Sequence, residues 1–230
     1  MRAVIIFLLS LTLASAAQTT PKKPDASDQK PVGVSLQTVL DNDVVRVVRV
    51  TCEAGCSEPV HSHPTNYMNV FLSDMELEFT REGHTYLTNP VAGEVRFIHK
   101  GSPGAMRNPT NKRVEWLSIT LKKDPRGIRP GVIPADTPFA GMTSRRLLDN
   151  EAVRASFLTL DAGMREQPHA HPTDLLVIAL TPGEVETTIG GKTERRTVKP
   201  GDVLWFPKMV EHHASNVGST KLDDVGVHIK

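Results

Sequence analysis

Apolar and polar positions along this chain alternate in short runs rather than in helical stripes. Residues 44–50 and 175–180 are β-branched or apolar runs of strand length, bounded by turn-forming residues. Residues 187–192 place two glycines between strand-like runs, a pattern typical of a hairpin. Long segments with a 3.6-residue apolar period are absent from the sequence, and only the Pro-rich connector and residues 143–149 could hold a short helix. The pattern predicts an all-β fold, either a sandwich or a barrel.

The chain also contains an internal repeat with an offset of 108 residues. Residues 40–122 match residues 148–230 at 24 of 83 positions without a gap. The motif HSHPT at 61–65 recurs as HAHPT at 169–173. Self-similarity of this extent predicts a duplicated domain.

The segments outside the two copies set the domain boundaries. Residues 123–144 are rich in Pro and Gly and predict a linker between a first barrel at 35–122 and a second barrel at 145–230. Residues 1–16 combine a basic start, a short apolar stretch and small residues, which predicts a signal peptide too short to span a bilayer. Residues 17–34 are polar and Pro-rich and predict a disordered leader. We therefore expect a secreted or periplasmic protein without a membrane anchor.

Composition narrows the range of partners. The chain has 230 residues, 27 Lys and Arg against 26 Asp and Glu, and a formal net charge of +1. This balance disfavours binding driven by phosphate neutralisation, so we expect no nucleic-acid partner. The apolar fraction of 39% is enough to bury a core.

Three histidines of the second copy have the spacing of a metal site. His169 and His171 are two residues apart and would point to the same face of one strand, and His212 follows 41 residues later. Three imidazoles converging inside a small barrel suit a divalent transition metal, and spacing does not choose among Fe, Mn, Zn, Ni and Cu.

Gly163 precedes His169 by five intervening residues, and Gly201, Pro207 and Asn216 surround His212; these residues strengthen the pattern. This spacing resembles the two motifs of the cupin superfamily, in particular exported bacterial bicupins. The resemblance implies two tandem double-stranded β-helix barrels, a small-molecule ligand or substrate, and a homodimer. The residues that carry it are Gly163, His169, His171, Gly201, Pro207, His212 and Asn216.

The second copy departs from the family pattern at one ligand. The family's usual fourth ligand is a glutamate, whereas Leu175 or Leu176 fills that position here. Asp174, Gln167 and His213 are alternative fourth ligands, and spacing does not separate them. Three protein ligands with an open position are typical of catalytic metal sites.

The first copy departs further. His61 and His63 are present, but Gly104 fills the position of the third histidine and His99 replaces the proline. We expect a degenerate site of His61, His63 and His99, which holds metal only if His99 turns inward.

Cys52 and Cys56 are the only cysteines. An even number in an exported chain favours a disulfide. Their counterparts in the repeat, Leu160 and Met164, are apolar, which favours two buried free thiols instead. Both alternatives stay open at this point.

Three classes of function fit these observations. The first is a metal-dependent enzyme acting in the second barrel on a small organic molecule; an anionic substrate is favoured because three neutral histidines leave the metal charge uncompensated. The second is a non-catalytic small-molecule-binding protein, and the third is a scaffold whose histidines are relics. Membership of a versatile superfamily assigns no reaction type.

Overall fold

The computed structural model describes residues 30–123 and 139–230, which form sixteen β-strands and no helix. No helix in this part of the chain is long and apolar enough to cross a membrane. The predicted signal peptide and most of the predicted leader and linker lie outside the described residues. The strands are β1 (Val32–Asp41), β2 (Val45–His61), β3 (Tyr67–Phe71), β4 (Leu77–Arg81), β5 (His84–Thr88), β6 (Val95–Ile98), β7 (Gly104–Arg107), β8 (Val114–Leu121), β9 (Met142–Asp149), β10 (Val153–Leu160), β11 (Asp174–Ala179), β12 (Gly183–Ile189), β13 (Lys192–Val198), β14 (Val203–Phe206), β15 (His212–Asn216) and β16 (Leu222–Ile229).

The first barrel consists of β1 to β8. Its front sheet has the order β6-β3-β8-β2-β1, and its back sheet has the order β5-β4-β7. The long strand β2 joins the two sheets, because its first half pairs with β8 and its second half pairs with β7.

The second barrel consists of β9 to β16 and repeats this arrangement. Its front sheet has the order β14-β11-β16-β10-β9 and its back sheet β13-β12-β15. Adding eight to each strand number of the first barrel reproduces both orders. The all-β fold of two tandem barrels is therefore confirmed.

Alternation along the strands gives each front sheet two different faces. The largest apolar cluster of the described residues takes buried side chains from both barrels and is called the main apolar cluster. On β8, Leu117, Ile119 and Leu121 belong to it, whereas Ser118 and Thr120 line a cavity inside the barrel. On β16, Val225 and Val227 belong to the same cluster, and the alternate positions 224, 226 and 228 line the cavity of the second barrel. The period of two thus separates packing residues from cavity residues.

The two front sheets pack against each other through this cluster, which takes buried side chains from both barrels. The contact is reciprocal. A Cβ added to Gly93 would come within 2.8 Å of Leu180, and one added to Gly201 would come within 2.8 Å of Leu72. Gly93 and Gly201, like Leu72 and Leu180, are 108 residues apart, so each barrel contacts the other with the same surface.

The hairpin predicted at 187–192 is confirmed. β12 and β13 pair from Gly183 to Val198, and Gly190 and Gly191 form the turn with φ of 55° and 80°. Positive φ at both central positions is the requirement of a type I′ turn, which glycine meets without steric cost.

One predicted element type and two predicted boundaries need correction. Residues 142–149 form a strand rather than a short helix, because their backbone pairs along β10. This strand begins inside the predicted linker 123–144. β1 begins at Val32, inside the predicted leader 17–34, because its backbone pairs with β2. In each case long-range pairing outweighs local composition.

Candidate metal centre

The fold brings the three predicted histidines of the second barrel together. His212 is the first residue of β15, and its backbone forms an isolated bridge with His169 through hydrogen bonds of 3.0 and 2.8 Å. The metal-binding nitrogens of His169, His171 and His212 lie within 4.8 Å of one another. His212 is buried and the other two are half-buried.

Backbone carbonyls orient two of these rings. The Nδ1 of His169 lies 2.8 Å from the carbonyl oxygen of Gln167, and the Nδ1 of His212 lies 2.9 Å from that of Val210. A carbonyl oxygen only accepts, so each Nδ1 carries the proton and each Nε2 presents a lone pair. The Nε2 atoms of His169 and His171 are 3.2 Å apart, the spacing expected of two nitrogens about 2.0–2.1 Å from a shared ion.

The protonation state also fits metal binding. Burial lowers the pKa of His212, the hydrogen bond to the carbonyl of Val210 opposes this shift, and the neighbouring His169 lowers the pKa further. A neutral imidazole is the form that binds metal. The donor set, the orientation of the His169 and His212 rings and the lowered pKa of His212 therefore fit a divalent transition metal.

The cluster borders a cavity of about 290 Å³ inside the second barrel. Among the described residues, its lining contains the carboxyl groups of Glu166 and Asp224 but no lysine or arginine. Most of the remaining wall is apolar, and the ring of Phe206 lies 4.6 Å from that of His212. The apolar lining includes Met142, Leu158, Leu160, Leu175, Val177, Val185 and Leu204.

Sequence reasoning missed two residues of this cavity, His228 and Asp224. The His228 ring is buried, lies 4.8 Å from the ring of His171, and has its Nδ1 3.0 Å from the hydroxyl of Thr173. Burial raises the pKa of Asp224 to about 7, and the carboxylates of Asp223 and Glu166 add to this shift. The signal that could have found both is the alternation along β16, which turns positions 224, 226 and 228 inward.

Of the alternative fourth ligands, Asp174 and His213 do not join the cluster. A carboxylate oxygen of Asp174 accepts a hydrogen bond from the backbone of Lys208. His213 pairs in register with Thr188 and, as the neighbour of His212 on a strand, points to the opposite side. Gln167 contributes its backbone carbonyl to His169.

The first barrel keeps only part of the arrangement. The Nε2 atoms of His61 and His63 are 3.1 Å apart, as in the second barrel. Gly104 lies opposite His61 in register, where the second barrel has His212 opposite His169. His99 is exposed, and its ring packs 5.2 Å from Phe97. Within the described residues of this barrel, no group of three metal-binding side chains forms.

A disulfide joins Cys52 and Cys56, with their Cα atoms 5.5 Å apart. Both residues are buried in the apolar cluster of the first barrel. The pair therefore lies away from the histidines and serves the packing of that barrel.

Comparisons with known proteins agree with this fold. The family model Cupin_2, described as a cupin domain, matches residues 156–223. A search of the curated proteins gives no match. Among solved structures, AerE from Microcystis aeruginosa is 14% identical with a TM-score of 0.70, over 87% of this chain and 96% of that chain.

Two further solved structures are similar at low identity. A mutant of the salicylate 1,2-dioxygenase from Pseudoaminobacter salicylatoxidans is 13% identical with a TM-score of 0.62, over 81% of this chain and 72% of that chain. A cupin 2 conserved barrel domain protein from Leptotrichia buccalis is 15% identical with a TM-score of 0.57, over 87% and 96%. The family model identifies a cupin domain at residues 156–223 in the second barrel, and the solved structures share the fold of the chain.

Proposed function

We propose that the second barrel holds a divalent transition metal through His169, His171 and His212 and acts on a small organic anion in the adjoining cavity. The observation that carries this proposal is the convergence of three metal-binding nitrogens on one small cavity. The metal belongs to the group Fe, Mn, Zn, Ni and Cu, all of which accept imidazole ligands.

The residues around the cluster suggest how the cavity would be used. A bound divalent ion would supply Lewis-acid chemistry, and three neutral ligands would leave its charge for an anionic substrate. Asp224 holds a proton up to about pH 7 and, beside Glu166, is the group available to donate or accept one. The apolar wall around Phe206 keeps water from the bound substrate.

Elemental analysis of purified residues 17–230, without chelator or added metal, tests the assignment. We expect about one equivalent of transition metal in the wild-type protein and its loss in His212→Ala. The matched control is His213→Ala, which removes the adjacent histidine from the opposite face of β15 and should keep the metal. Metal retained at normal stoichiometry in His212→Ala would refute the site.

A substrate screen tests the catalytic part of the proposal. One structural neighbour is named salicylate 1,2-dioxygenase and is also solved in complex with gentisate. This likeness supports a screen of O₂ uptake that starts with aromatic and aliphatic carboxylates. Saturable binding of a carboxylate without turnover by the metal-loaded protein would favour the alternative, a non-catalytic binding protein.

We also propose that the protein is exported to the periplasm or secreted, and that it forms a homodimer. The basic and apolar character of residues 1–16 supports export, and so does the disulfide, since disulfides persist in oxidising compartments. Cell fractionation of the full chain tests export, and sedimentation of the mature protein tests the dimer. A cytoplasmic full-length product or a monomer at micromolar concentration would contradict the respective proposal.

A further inference from the structure

We infer that the first barrel is a separate, metal-independent binding site for an aromatic carboxylate. The first barrel encloses a cavity of about 910 Å³, roughly three times the volume of the cavity beside the histidine cluster. Part of the extra space arises at Gly104, which has no side chain where the second barrel has His212. A cavity of this size accommodates a molecule of one or two rings.

The described lining of this cavity has more Phe, Tyr and Trp side chains than that of the second cavity, which has Phe139 and Phe206. Aromatic rings provide flat apolar surfaces on which another ring can stack. Trp116 takes the position that Asp224 occupies one repeat later. The aromatic residues that line the first cavity include Phe71, Phe79, Tyr86, Phe97 and Trp116.

A row of hydrogen-bond donors crosses the same cavity. Arg96, Asn69 and Ser118 are neighbours in register on β6, β3 and β8, and all three line the cavity. Such cross-strand neighbours point to the same face of a sheet. The corresponding row of the second barrel has no side-chain donor and consists of Leu204, Val177 and Gly226.

The side chain of Asn69 has an unpaired end in this row. Its carbonyl oxygen is buried and has no hydrogen-bond partner among the described residues, and Asn69 lines the cavity. A buried polar atom without a partner is costly. An asparagine amide carries both an acceptor and an NH₂ donor, so Asn69 can offer its NH₂ group to a carboxylate in the cavity.

The guanidinium of Arg96 is held in position by the protein. Its Nε donates to a carboxylate oxygen of Glu94 at 2.7 Å, and its Nη2 donates to the hydroxyl of Thr88. The cation lies 5.2 Å from the ring centroid of Phe71 and 5.6 Å from that of Phe79. These contacts leave Nη1 for a ligand and place it at the edge of the aromatic wall.

The charged side chains that line the two cavities also differ. The described lining of the first cavity includes Arg46, Arg81 and Arg96 and one carboxyl group, that of Glu58. Burial raises the pKa of Glu58, and the neighbouring His61 opposes this shift. The part of the second lining that the structure describes has two carboxyl groups and neither lysine nor arginine. Without a metal in the second barrel, these described side chains favour an anion in the first cavity over the second.

These features define one class of ligand. A planar carboxylate accepts hydrogen bonds from a guanidinium, an amide NH₂ and a hydroxyl at the same time. The aromatic wall beside them suits a ring attached to that carboxylate. No histidine is needed for this binding, so the site does not depend on the metal proposed for the second barrel.

Calorimetric titration with 2-naphthoate tests the inference. The protein is the His212→Ala variant in EDTA, so binding at the proposed metal centre cannot contribute. We expect saturable binding at one site, at least tenfold weaker binding of cyclohexanecarboxylate, and none of the cationic 2-naphthylmethylamine. The absence of saturable 2-naphthoate binding to the folded variant, or equal affinity for the cation, would overturn the proposal.

Two variants locate the site within the first barrel. Asn69→Val and Arg96→Leu each introduce the residue of the second barrel, and each should weaken 2-naphthoate binding at least tenfold. The control is Arg145→Leu, which removes an arginine stacked 5.5 Å from Phe157, outside the cavity lining, and should leave affinity unchanged.

Thermal unfolding separates a ligand-binding role of Asn69 from a structural one. Asn69→Val removes the unpartnered carbonyl, so it should raise the melting temperature of the ligand-free protein while it weakens binding. A lowered melting temperature together with unchanged affinity would assign Asn69 to the fold and refute the site.

Discussion

The two barrels share a fold and differ in the chemistry of their cavities. The second cavity has a volume of about 290 Å³ and combines the histidine cluster with two carboxyl groups. The first has a volume of about 910 Å³ and combines arginines with aromatic rings. Three inward-facing substitutions account for much of this difference. The pairs, one repeat apart, are Gly104 and His212, Trp116 and Asp224, and Thr120 and His228.

Interactions that hold the scaffold, by contrast, recur in both barrels. The side-chain NH₂ of Asn108 donates to the carbonyl of Lys112 at 2.7 Å, and that of Asn216 donates to the carbonyl of Thr220 at 2.8 Å. Both asparagines thereby stabilise the turn before the last strand of their barrel. The two copies therefore share the asparagine turns and the contact between the front sheets, whereas the residues that face the cavities differ.

The largest expected effect is a second metal site created by Gly104→His. Gly104 lies opposite His61, as His212 lies opposite His169. A Cβ at Gly104 would have only the carbonyl oxygen of Thr80 nearby, at 3.8 Å, so a side chain fits. Elemental analysis should find about two equivalents of metal per chain instead of one.

The control for this variant is Ala105→His, which adds a histidine at the next position, the counterpart of His213. It should leave the metal content at one equivalent. If Gly104→His gained no metal while remaining folded, the missing third histidine would not explain the difference between the barrels.

The second prediction concerns Asp224, the acid that replaces Trp116. Its pKa is raised from 3.8 to about 7 in the folded protein, so between pH 4 and 7 the unfolded chain releases a proton that the folded chain keeps. The free energy of unfolding therefore falls as pH rises through this range, by up to about 4 kcal/mol. Asp224→Asn should remove this loss, because the amide does not ionise.

Urea unfolding of metal-free protein at pH 4.5, 6 and 7.5 measures this effect. The exposed Asp43→Asn serves as the control and should retain the wild-type slope. A variant Asp224→Asn with the same pH slope as wild type would show that Asp224 is ionised in the fold.

The sequence predicts the metal-binding histidines better than the rest of the cavity. His169, His171 and His212 are found because a spacing motif connects them and because the repeat aligns them with His61, His63 and Gly104. The strand arrangement follows from the same repeat, since both copies fold alike.

His228 and Asp224 could not be found in this way. In the repeat, His228 aligns with Thr120 and Asp224 aligns with Trp116, so neither residue occurs in both copies. The repeat therefore does not identify them as candidates. Their role depends on which face of β16 turns inward, and register sets that face. The neighbouring positions of Arg96 and Asn69 likewise arise from the pairing of β6 with β3, which are distant in sequence.

The third prediction concerns the contact between the barrels. A Cβ on Gly93 would meet the Phe157 ring and Leu180 at 2.8 Å, and its φ of 79° disfavours other residues. Gly201 has a φ of 81°, but there the Cβ would meet the flexible end of Arg49 as well as Leu72. We expect Gly93→Ala to cost about 2–4 kcal/mol and Gly201→Ala less, because an arginine end moves aside more easily than a packed ring.

Urea unfolding of the two variants, monitored on the full mature chain, gives both values. Equal losses would indicate that backbone strain dominates at both positions. A larger loss for Gly201→Ala would contradict the proposed difference between the two sides of the contact.

The smallest effect is expected from the disulfide, which the second barrel replaces with Leu160 and Met164. Cys52 and Cys56 are four residues apart, so the bond closes a very short loop and restricts the unfolded chain little. Replacing both by alanine should cost about 2 kcal/mol of the free energy of unfolding. The metal content of the second barrel should not change, because both cysteines pack only within the first barrel's cluster.

Unfolding with and without reductant separates the bond from the packing of the side chains. Reductant should destabilise the wild-type protein and leave the double alanine variant unaffected. The second barrel has no bond at this position, so reduced wild-type protein should keep its full metal complement while losing stability. A loss of metal on reduction would mean that the disulfide supports the second barrel across the packed sheets, and the barrels would then not be independent in this respect.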